Sequence, residues 1–274
     1  MRKIVHLSDV HFGTADFAVA ELVIKKINAL GPDVVVVSGD LTQRARSVEF
    51  QQAKAFLERL PEPQIVIPGN HDIPLHNVFD RFFRPLDKFR RFITDDLRPV
   101  FIDDEIAIIG INTARSMTIK GGRINNDQIE DIRSKMCGLD KRMLKIVVSH
   151  HPFDLPKGAD ENDIVGRAEK AMPRISDCGG DVFLSGHLHV SNIETTAKRY
   201  KLENGRTALV IQAGTATSVR VRGEVNSFNV LVFEHPRLHV ERLECRSLET
   251  GFVYAEHKIY RQTNEGWEQT DKNE

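Results

Sequence analysis

The chain is predicted to be an α/β protein that contains a sheet of parallel strands. Short apolar runs alternate with helical segments along the first two thirds of its 274 residues, which is the pattern of βαβ units. Apolar residues make up 41% of the chain and charged residues 28%, as in soluble proteins with a proper core. The last third contains apolar runs separated by turns, so we expect a second, largely antiparallel sheet packed on the first.

The spacing of apolar residues predicts the order of the elements. Helical periodicity over Phe17–Leu30 and 48–60 predicts two helices, and the fully apolar run 34–37 is typical of a buried strand. The predicted strands are 4–7, 34–37, 65–67, 106–109, 146–148, 182–184, 208–212, 227–234, 238–245 and 253–260.

The ends of the chain and one aromatic segment complete the predicted organisation. We expect one domain over 1–262 and a polar tail over 263–274 that frays. Residues 79–93 carry phenylalanines at helical spacing with arginines between them, which predicts an amphipathic helix with a solvated basic face. The alternative for 76–98 is a helical cap or a dimer contact.

Charge and cysteine content disfavour several classes of protein. The formal net charge is -1, so no basic field of the whole chain attracts nucleic acid or an anionic membrane. Cys137, Cys178 and Cys245 are far apart and form no CxxC pair, so we expect neither a disulfide framework nor a thiolate metal site. We therefore expect a cytoplasmic protein.

Membrane insertion is not expected. No apolar stretch approaches the ~20 residues that a membrane-spanning helix needs. The first apolar run is interrupted by His6, Ser8 and Asp9, which is unlike a signal peptide or an anchor.

Residue types that commonly bind metal ions follow five of the predicted strands. Ligands of open α/β sheets bind at the carboxyl ends of strands, and loops there can meet although they are distant in sequence. Residues two apart in an extended segment face the same side, so each of the two pairs with this spacing can point to one place. The five groups are Asp9 and His11, Asp40, Asn70 and His71, His150 and His151, and His187 and His189. Together they predict a metal site.

In this order the motifs resemble those of the calcineurin-like metallophosphoesterase superfamily. They are Asp9-Val10-His11, Gly39-Asp40, Gly69-Asn70-His71-Asp72, His150 and Gly186-His187-Leu188-His189. The resemblance implies a four-layer α/β/β/α sandwich of two mixed sheets flanked by helices, with two metal ions at one edge. By the family pattern, Asp9, His11 and His189 bind one ion. Asn70, His150 and His187 bind the other, and Asp40 bridges both.

The chemistry of these residues agrees with that assignment. Oxygen and imidazole ligands suit manganese, iron, zinc or cobalt, and two ions ~3.5–4 Å apart can clamp an in-line displacement at phosphorus. A bridging water would lose a proton and attack as hydroxide, while the ions neutralise developing charge. We expect His71 to assist the leaving oxygen and Asp72 to orient His71 or fix the turn, whereas Asn70 is a neutral ligand.

Other polar residues near these motifs have weaker assignments. Arg44 is a candidate for holding a phosphate oxygen, although Gln43 and Ala45 depart from the Gly-Asp-x-x-Asp-Arg-Gly motif of the protein serine/threonine phosphatases. The expected role of His151 is structural, and His6 is expected in the core. For Arg220 and Arg222, either a position beside a strand or a substrate contact remains open.

The resemblance predicts a hydrolase, and its phosphodiesterase branch fits best. The chain resembles the bacterial cyclic-nucleotide phosphodiesterases in compactness and in carrying Gly69-Asn70-His71-Asp72, so we expect a small phosphoester substrate such as a cyclic nucleotide. The alternatives are a phosphomonoesterase or a pyrophosphatase acting on a nucleotide-linked lipid precursor. Less favoured are a DNA nuclease, since no capping domain or basic surplus is evident, and a non-catalytic scaffold, since every expected ligand is present.

Overall fold

Thirteen strands and six α-helices are found in the computed structural model, which describes residues 1–75, 77–118, 120–156, 159–195, 207–218 and 224–270. The strands are β1 (Arg2–Leu7), β2 (Val34–Ser38), β3 (Gln64–Ile67), β4 (Val100–Ile102), β5 (Ile106–Gly110), β6 (Leu144–Val148), β7 (Val182–Ser185), β8 (Asn192–Thr195), β9 (Leu209–Gln212), β10 (Asn226–Glu234), β11 (Arg237–Cys245), β12 (Phe252–Thr263) and β13 (Gly266–Thr270). The helices are α1 (Phe17–Leu30), α2 (Ser47–Leu57), α3 (Val78–Phe83), α4 (Asp87–Phe92), α5 (Asn126–Met136) and α6 (Ala168–Ser176), with 3₁₀ helices at Asn70–Asp72 and Glu161–Asp163.

The strands form two mixed sheets. The first has the order β13-β12-β11-β10-β1-β2-β3, and the second has the order β4-β5-β6-β7-β9-β8. In the first sheet β1, β2 and β3 are parallel, while β10 joins β1 in the antiparallel direction. In the second sheet β5, β6, β7 and β9 are parallel, and the edge strands β4 and β8 are antiparallel to their neighbours.

Side chains on alternating faces of the strands build three apolar layers. Ile4 and Val36 of the first sheet pack between the sheets against Ile146 of the second. The other face of β1 packs with Val5 against α1, α2 and α4, and Val147 of β6 packs outward against α5 and α6. The period of two along each strand therefore produces the predicted α/β/β/α sandwich, and this expectation is confirmed.

The expectation of a separate antiparallel sheet in the last third is wrong. Strands β10 to β13 extend the first sheet from β1, and β9 lies in the second sheet beside β7. Phe228 and Val230 face the helices, whereas Leu231 and Phe233 face the other sheet. A strand that is apolar on both faces needs cover on both sides, so β10 belongs inside a covered sheet.

The expectation that residues 263–274 form a frayed tail is also wrong for the part of this segment that the structure describes. Gly266–Thr270 pairs with β12, and Trp267 is only 2% exposed within the core between the sheets. A single buried tryptophan provides a large apolar area, but one apolar residue among polar ones gave no periodic signal. The last four residues lie outside the described range.

The single helix expected over 79–93 is interrupted. α3 ends at Phe83 and α4 begins at Asp87, because Pro85 between them lacks an N–H and disfavours helical backbone at Arg84. Phe89 of α4 is buried, whereas Phe83 of α3 is 73% exposed.

Cys137 and Cys178 form a disulfide between the end of α5 and the turn after α6. The sequence predicted no disulfide framework and did not anticipate this single pair. The two residues are 41 apart in sequence, but their Cα atoms lie 4.3 Å apart, since α5 and α6 pack side by side on the second sheet. Cys245 is free and buried.

None of the helices within the described ranges is both long and apolar enough to cross a membrane.

Candidate metal centre

The predicted metal ligands lie on loops at the carboxyl ends of β1, β2, β3, β6 and β7, where the two sheets meet. Five of them have left-handed backbone, with φ between 51° and 73°: Asp9, His11, Asp40, His187 and His189. This conformation costs a residue other than glycine about 1–3 kcal/mol and is concentrated at functional sites. The loops therefore hold strained geometry at the positions that present ligand atoms.

The first group of ligand atoms surrounds one carboxylate oxygen. Asp9 Oδ1 lies 3.4 Å from His11 Nε2 and 3.4 Å from His189 Nε2, and the two imidazole nitrogens are 3.3 Å apart. One ligand atom each from these residues and Asp40 fits within 4.8 Å. Asp9 Oδ1 is buried without a hydrogen-bond partner, which is costly unless a cation or another group satisfies it. The donor set therefore fits a metal ion.

The second group adjoins the first through Asp40. His150 Nε2 lies 3.1 Å from Asn70 Oδ1 and 3.4 Å from Asp40 Oδ2, and the ring of His187 is centred 5.2 Å from that of His150. Asp40 Oδ2 is also 3.7 Å from His11 Nε2. The carboxylate thus stands between the two groups, and all seven predicted ligands converge.

Backbone and hydroxyl oxygens orient three of the imidazoles. Nδ1 of His150 lies 2.8 Å from the Ser38 carbonyl, and Nδ1 of His11 lies 3.4 Å from the Thr42 carbonyl. Nδ1 of His189 lies 3.0 Å from Thr215 Oγ1. Such contacts fix the tautomer of a ligand and leave Nε2 for a metal.

The electrostatics of the site favour a cation. Although burial opposes ionisation, the surrounding imidazoles hold the pKa values of Asp9 and Asp40 below their usual range. Burial likewise opposes protonation of His150, yet the Asp40 carboxylate raises its pKa to about 9. Ionised carboxylates in this site therefore favour protons on the neighbouring imidazoles. A metal ion can replace those protons, because it is attracted by the same carboxylates.

His71 is held beside the ligands by Asp40 and Gln43. Its backbone N–H donates to Asp40 Oδ1 at 2.9 Å, and its ring is centred 5.0 Å from that of His11. Nδ1 lies 2.9 Å from the Gln43 carbonyl and 3.2 Å from Gln43 Nε2. When Nδ1–H donates to that carbonyl, Nε2 is the nitrogen left for another partner.

Gln43 contacts His71, although the sequence predicted no role for it. Thr14 Oγ1 donates to Gln43 Oε1 at 3.2 Å, so the side chain is held from one end while the other contacts His71. The available signal was its position three residues after Asp40, where the phosphatase motif has an aspartate.

Asp72 joins two loops and has no hydrogen bond to the His71 ring among the described contacts. Its carboxylate accepts from the amides of Gly69, Leu41 and Thr42 and from the Thr42 hydroxyl, at 2.9–3.2 Å. Burial, followed by the nearby Asp40 charge, raises the pKa of Asp72 to about 6. Of its two expected roles, these contacts favour fixing the turn over orienting His71.

Two further histidines have contacts of a structural kind. His151 lies in a group of possible ligands with His150 and His187, but its Nε2 is 2.7 Å from the Lys120 carbonyl and its Nδ1 is 2.9 Å from the Thr113 hydroxyl. Both ring nitrogens are therefore occupied. His6 Nε2 lies 2.9 Å from Ser38 Oγ in the core, and burial lowers the pKa of His6 to about 3.

The substrate contacts considered for Arg44, Arg220 and Arg222 remain predictions. Arg44 is exposed on the loop after Asp40, and its amide donates to Glu49 at 2.8 Å. Arg220 and Arg222 lie outside the described residues.

Sequence comparisons identify phosphodiesterases among the relatives. The glycerophosphodiester phosphodiesterase GpdQ of Enterobacter lignolyticus is 36% identical over 116 residues, which cover 38% of this chain and 39% of the relative. A probable GpdQ of Arcobacter nitrofigilis is 30% identical over 166 residues, 58% of this chain and 57% of the relative. The 3′,5′-cyclic adenosine monophosphate phosphodiesterase CpdA of Escherichia coli K12 is 22% identical over 165 residues, 57% and 54% of the two chains. The chain thus spans less than two thirds of the length of each of these relatives.

Solved structures share the fold. The purple acid phosphatase PPD1 from yellow lupin matches 94% of this chain and 53% of its own, with a TM-score of 0.70 and 13% identity. A dimetal phosphatase from Danio rerio matches 94% of this chain and 98% of its own, with a TM-score of 0.64 and 12% identity. The family model for calcineurin-like phosphoesterases matches residues 2–191, which include all seven predicted ligands. This protein therefore belongs to the calcineurin-like phosphoesterase family.

Proposed function

We propose that this protein is a dinuclear metal-dependent phosphoester hydrolase and, within that class, a phosphodiesterase. The observation that carries the proposal is the position of Asp40, whose Oδ2 lies 3.4 Å from His150 Nε2 in one ligand group and 3.7 Å from His11 Nε2 in the other. Two divalent ions, of manganese, iron, zinc or cobalt, suit these oxygen and imidazole donors. The first would be held by Asp9, His11 and His189, and the second by Asn70, His150 and His187.

The chain itself would position the substrate and move a proton. When bound, the ions would activate a water nucleophile and neutralise charge on the phosphoryl oxygens. His71 stands beside the ligands without being one of them, and Gln43 holds its Nδ1. When both ring nitrogens of His71 carry a proton, Nδ1–H donates to the Gln43 carbonyl and Nε2–H can pass its proton to the leaving oxygen, a contribution of typically ~10²–10⁴ in rate. Asp72 would act by holding the loops of Asp40 and Asn70 together.

The names of the relatives support a diester substrate. Two are glycerophosphodiester phosphodiesterases and one is a cyclic nucleotide phosphodiesterase, so we propose a small diester of one of these kinds. A UDP-2,3-diacylglucosamine pyrophosphatase of Chlamydia trachomatis is 24% identical over 68% of this chain, which keeps the pyrophosphatase as the second candidate.

The surroundings of the site carry further proposals. The two sheets, including β13 at Gly266–Thr270, would form one domain acting in the cytoplasm. A cap or dimer contact within 76–98 is supported by the exposed side chains of Phe79, Phe82 and Phe83 on α3, which follows the Asn70–Asp72 turn. Arg44 remains the proposed contact to a phosphate oxygen.

Hydrolysis of matched substrates tests the proposal. The protein reconstituted with Mn²⁺ should cleave bis-p-nitrophenyl phosphate faster than p-nitrophenyl phosphate. It should then be assayed on 3′,5′- and 2′,3′-cyclic nucleotides and on glycerophosphodiesters. Asp40→Asn is the inactive control, because it removes the shared carboxylate. Preference for the monoester would refute the diesterase assignment, and no hydrolysis with any of the four metals would support the scaffold instead.

A further inference from the structure

One imidazole of the metal centre faces a carboxylate outside the seven predicted ligands. Asp163 is the last residue of the 3₁₀ helix Glu161–Asp163, and its Oδ1 lies 3.6 Å from His187 Nε2. The side chains of His187 and Asp163 are 9% and 24% exposed, respectively. The contact is therefore largely screened from solvent.

His187 is oriented differently from the other imidazoles of the site. His11, His150 and His189 each turn Nδ1 toward a neutral oxygen and keep Nε2 for the site. In His187 it is Nε2 that faces a protein oxygen, so Nδ1 is the nitrogen left for an ion. The His187 backbone N–H also donates to Asp9 Oδ2 at 3.0 Å, which links His187 to a residue of the first ligand group.

We propose that Asp163 is a positioning residue. Its carboxylate lies 3.6 Å from His187 Nε2, just beyond hydrogen-bond distance, and would accept the Nε2–H once Nδ1 binds the second ion. The proposal rests on the dinuclear site proposed above. It names a residue that lies 24 positions before the ligand it serves, and neither the motifs nor the strand ends indicated it.

The two proposed ion sites differ in the number of carboxylates that would contact them, and this difference explains the role proposed for Asp163. The first ion would have the carboxylate of Asp9 and a share of Asp40, whereas the second would have only its share of Asp40 beside neutral ligands. A carboxylate behind a metal-bound imidazole raises its basicity and fixes its ring. Asp163 would lie on the far side of the His187 ring from the second ion. It would therefore supply part of the negative charge that this ion lacks among its direct ligands.

Metal titration tests this role without relying on turnover. Binding of Mn²⁺ to metal-free protein should be followed by calorimetry, with bound metal counted after gel filtration. Asp163→Ala should weaken binding of the second ion by about 10–100-fold, the usual effect of losing such a partner, and leave the first ion unchanged. Asp163→Asn should recover part of the loss, because an amide oxygen still accepts from Nε2–H.

Glu169→Ala is the matched control, since Glu169 is an exposed acid six residues further on, in the first turn of α6. It should bind two ions like the wild type. Wild-type binding of the second ion by Asp163→Ala would overturn the proposal, as would equal weakening of both ions, which indicates a general structural role. Equal loss in the Ala and Asn variants would overturn it in favour of direct ligation. A wild type that binds fewer than two ions would instead refute the dinuclear site itself.

Discussion

Removing the Asp72 carboxylate should destabilise the fold, because this side chain joins the loop that follows β2 to the loop that follows β3. In Asp72→Ala the backbone N–H groups of Leu41, Thr42 and Gly69 lose their acceptor, and all three residues are buried. An unsatisfied buried donor costs about 1–3 kcal/mol. Water entering the vacated space can satisfy part of this demand, so we expect a loss of about 3–5 kcal/mol in the free energy of unfolding.

Asp72→Asn should be milder. The amide keeps one accepting oxygen but turns an NH₂ group toward backbone N–H groups, so at least one donor stays unsatisfied. It also avoids the cost of ionising a buried acid, which the raised pKa of Asp72 reflects. We expect a loss of about 1–3 kcal/mol, corresponding to one unsatisfied donor.

The assay is urea unfolding of chelator-treated protein followed by circular dichroism, because bound metal would add its own stabilisation. Asp127→Ala is the control, since Asp127 is exposed in the first turn of α5 and should change stability by less than about 0.5 kcal/mol. If Asp72→Ala unfolds at the wild-type urea concentration but loses turnover with full metal content, Asp72 takes part in the chemistry and the reasoning from its four hydrogen bonds is wrong.

Three further predictions concern His71, whose catalytic role is proposed, the buried His6 and the proposed metal ions. His71→Ala should lower turnover by about 10²–10⁴ with unchanged metal content, measured by elemental analysis beside kinetics; a loss of metal would contradict its assignment as a non-ligand. Because burial lowers the pKa of His6 to about 3, the unfolded chain binds a proton below pH ~6.5 that the native state refuses, and stability falls as the pH drops toward 3. His6→Gln should remove up to about 1.4 kcal/mol per pH unit from that slope, and an identical slope in urea titrations from pH 6 to 4.5 would rule this out. Mn²⁺ at ~100 times the Kd of a site should raise the free energy of unfolding by about 2.7 kcal/mol for each site filled, relative to chelated protein. Asp40→Asn should lose most of that gain, and an equal gain in the variant would place the metal elsewhere.

The local pattern of the chain was sufficient to predict most of the strands of the sandwich. The run 34–37 lies within β2, and the helix expected over Phe17–Leu30 has those bounds in the structure. Such elements are predictable because burial on one face or both imposes a period on the nearest neighbours in sequence. Trp267 shows where this fails: its burial depends on β12, with which its strand pairs, and not on the polar residues around it.

The candidate ligands were likewise readable from the chain, whereas the residues that contact them were not. Residue type and position after a strand distinguish Asp9, His11 and Asp40 as candidates, because metal binding demands particular atoms at a strand end. Gln43 beside His71 and Asp163 beside His187 carry no such signature. A side chain that acts through another can come from any loop that the packing brings within a few ångströms.

By itself, then, the sequence determined the α/β class and the metal-binding residue types after five strands, since these depend on chemistry repeated at strand ends. The resemblance carried by those motifs implied the four-layer architecture, the seven candidate ligands and the role of His71. Only the tertiary structure decided that β10 to β13 extend the first sheet, that Cys137 meets Cys178, and which nitrogen of each imidazole faces the site. Those features arise from contacts between segments far apart in the chain, and their distances are set by the packing of the two sheets rather than by local sequence.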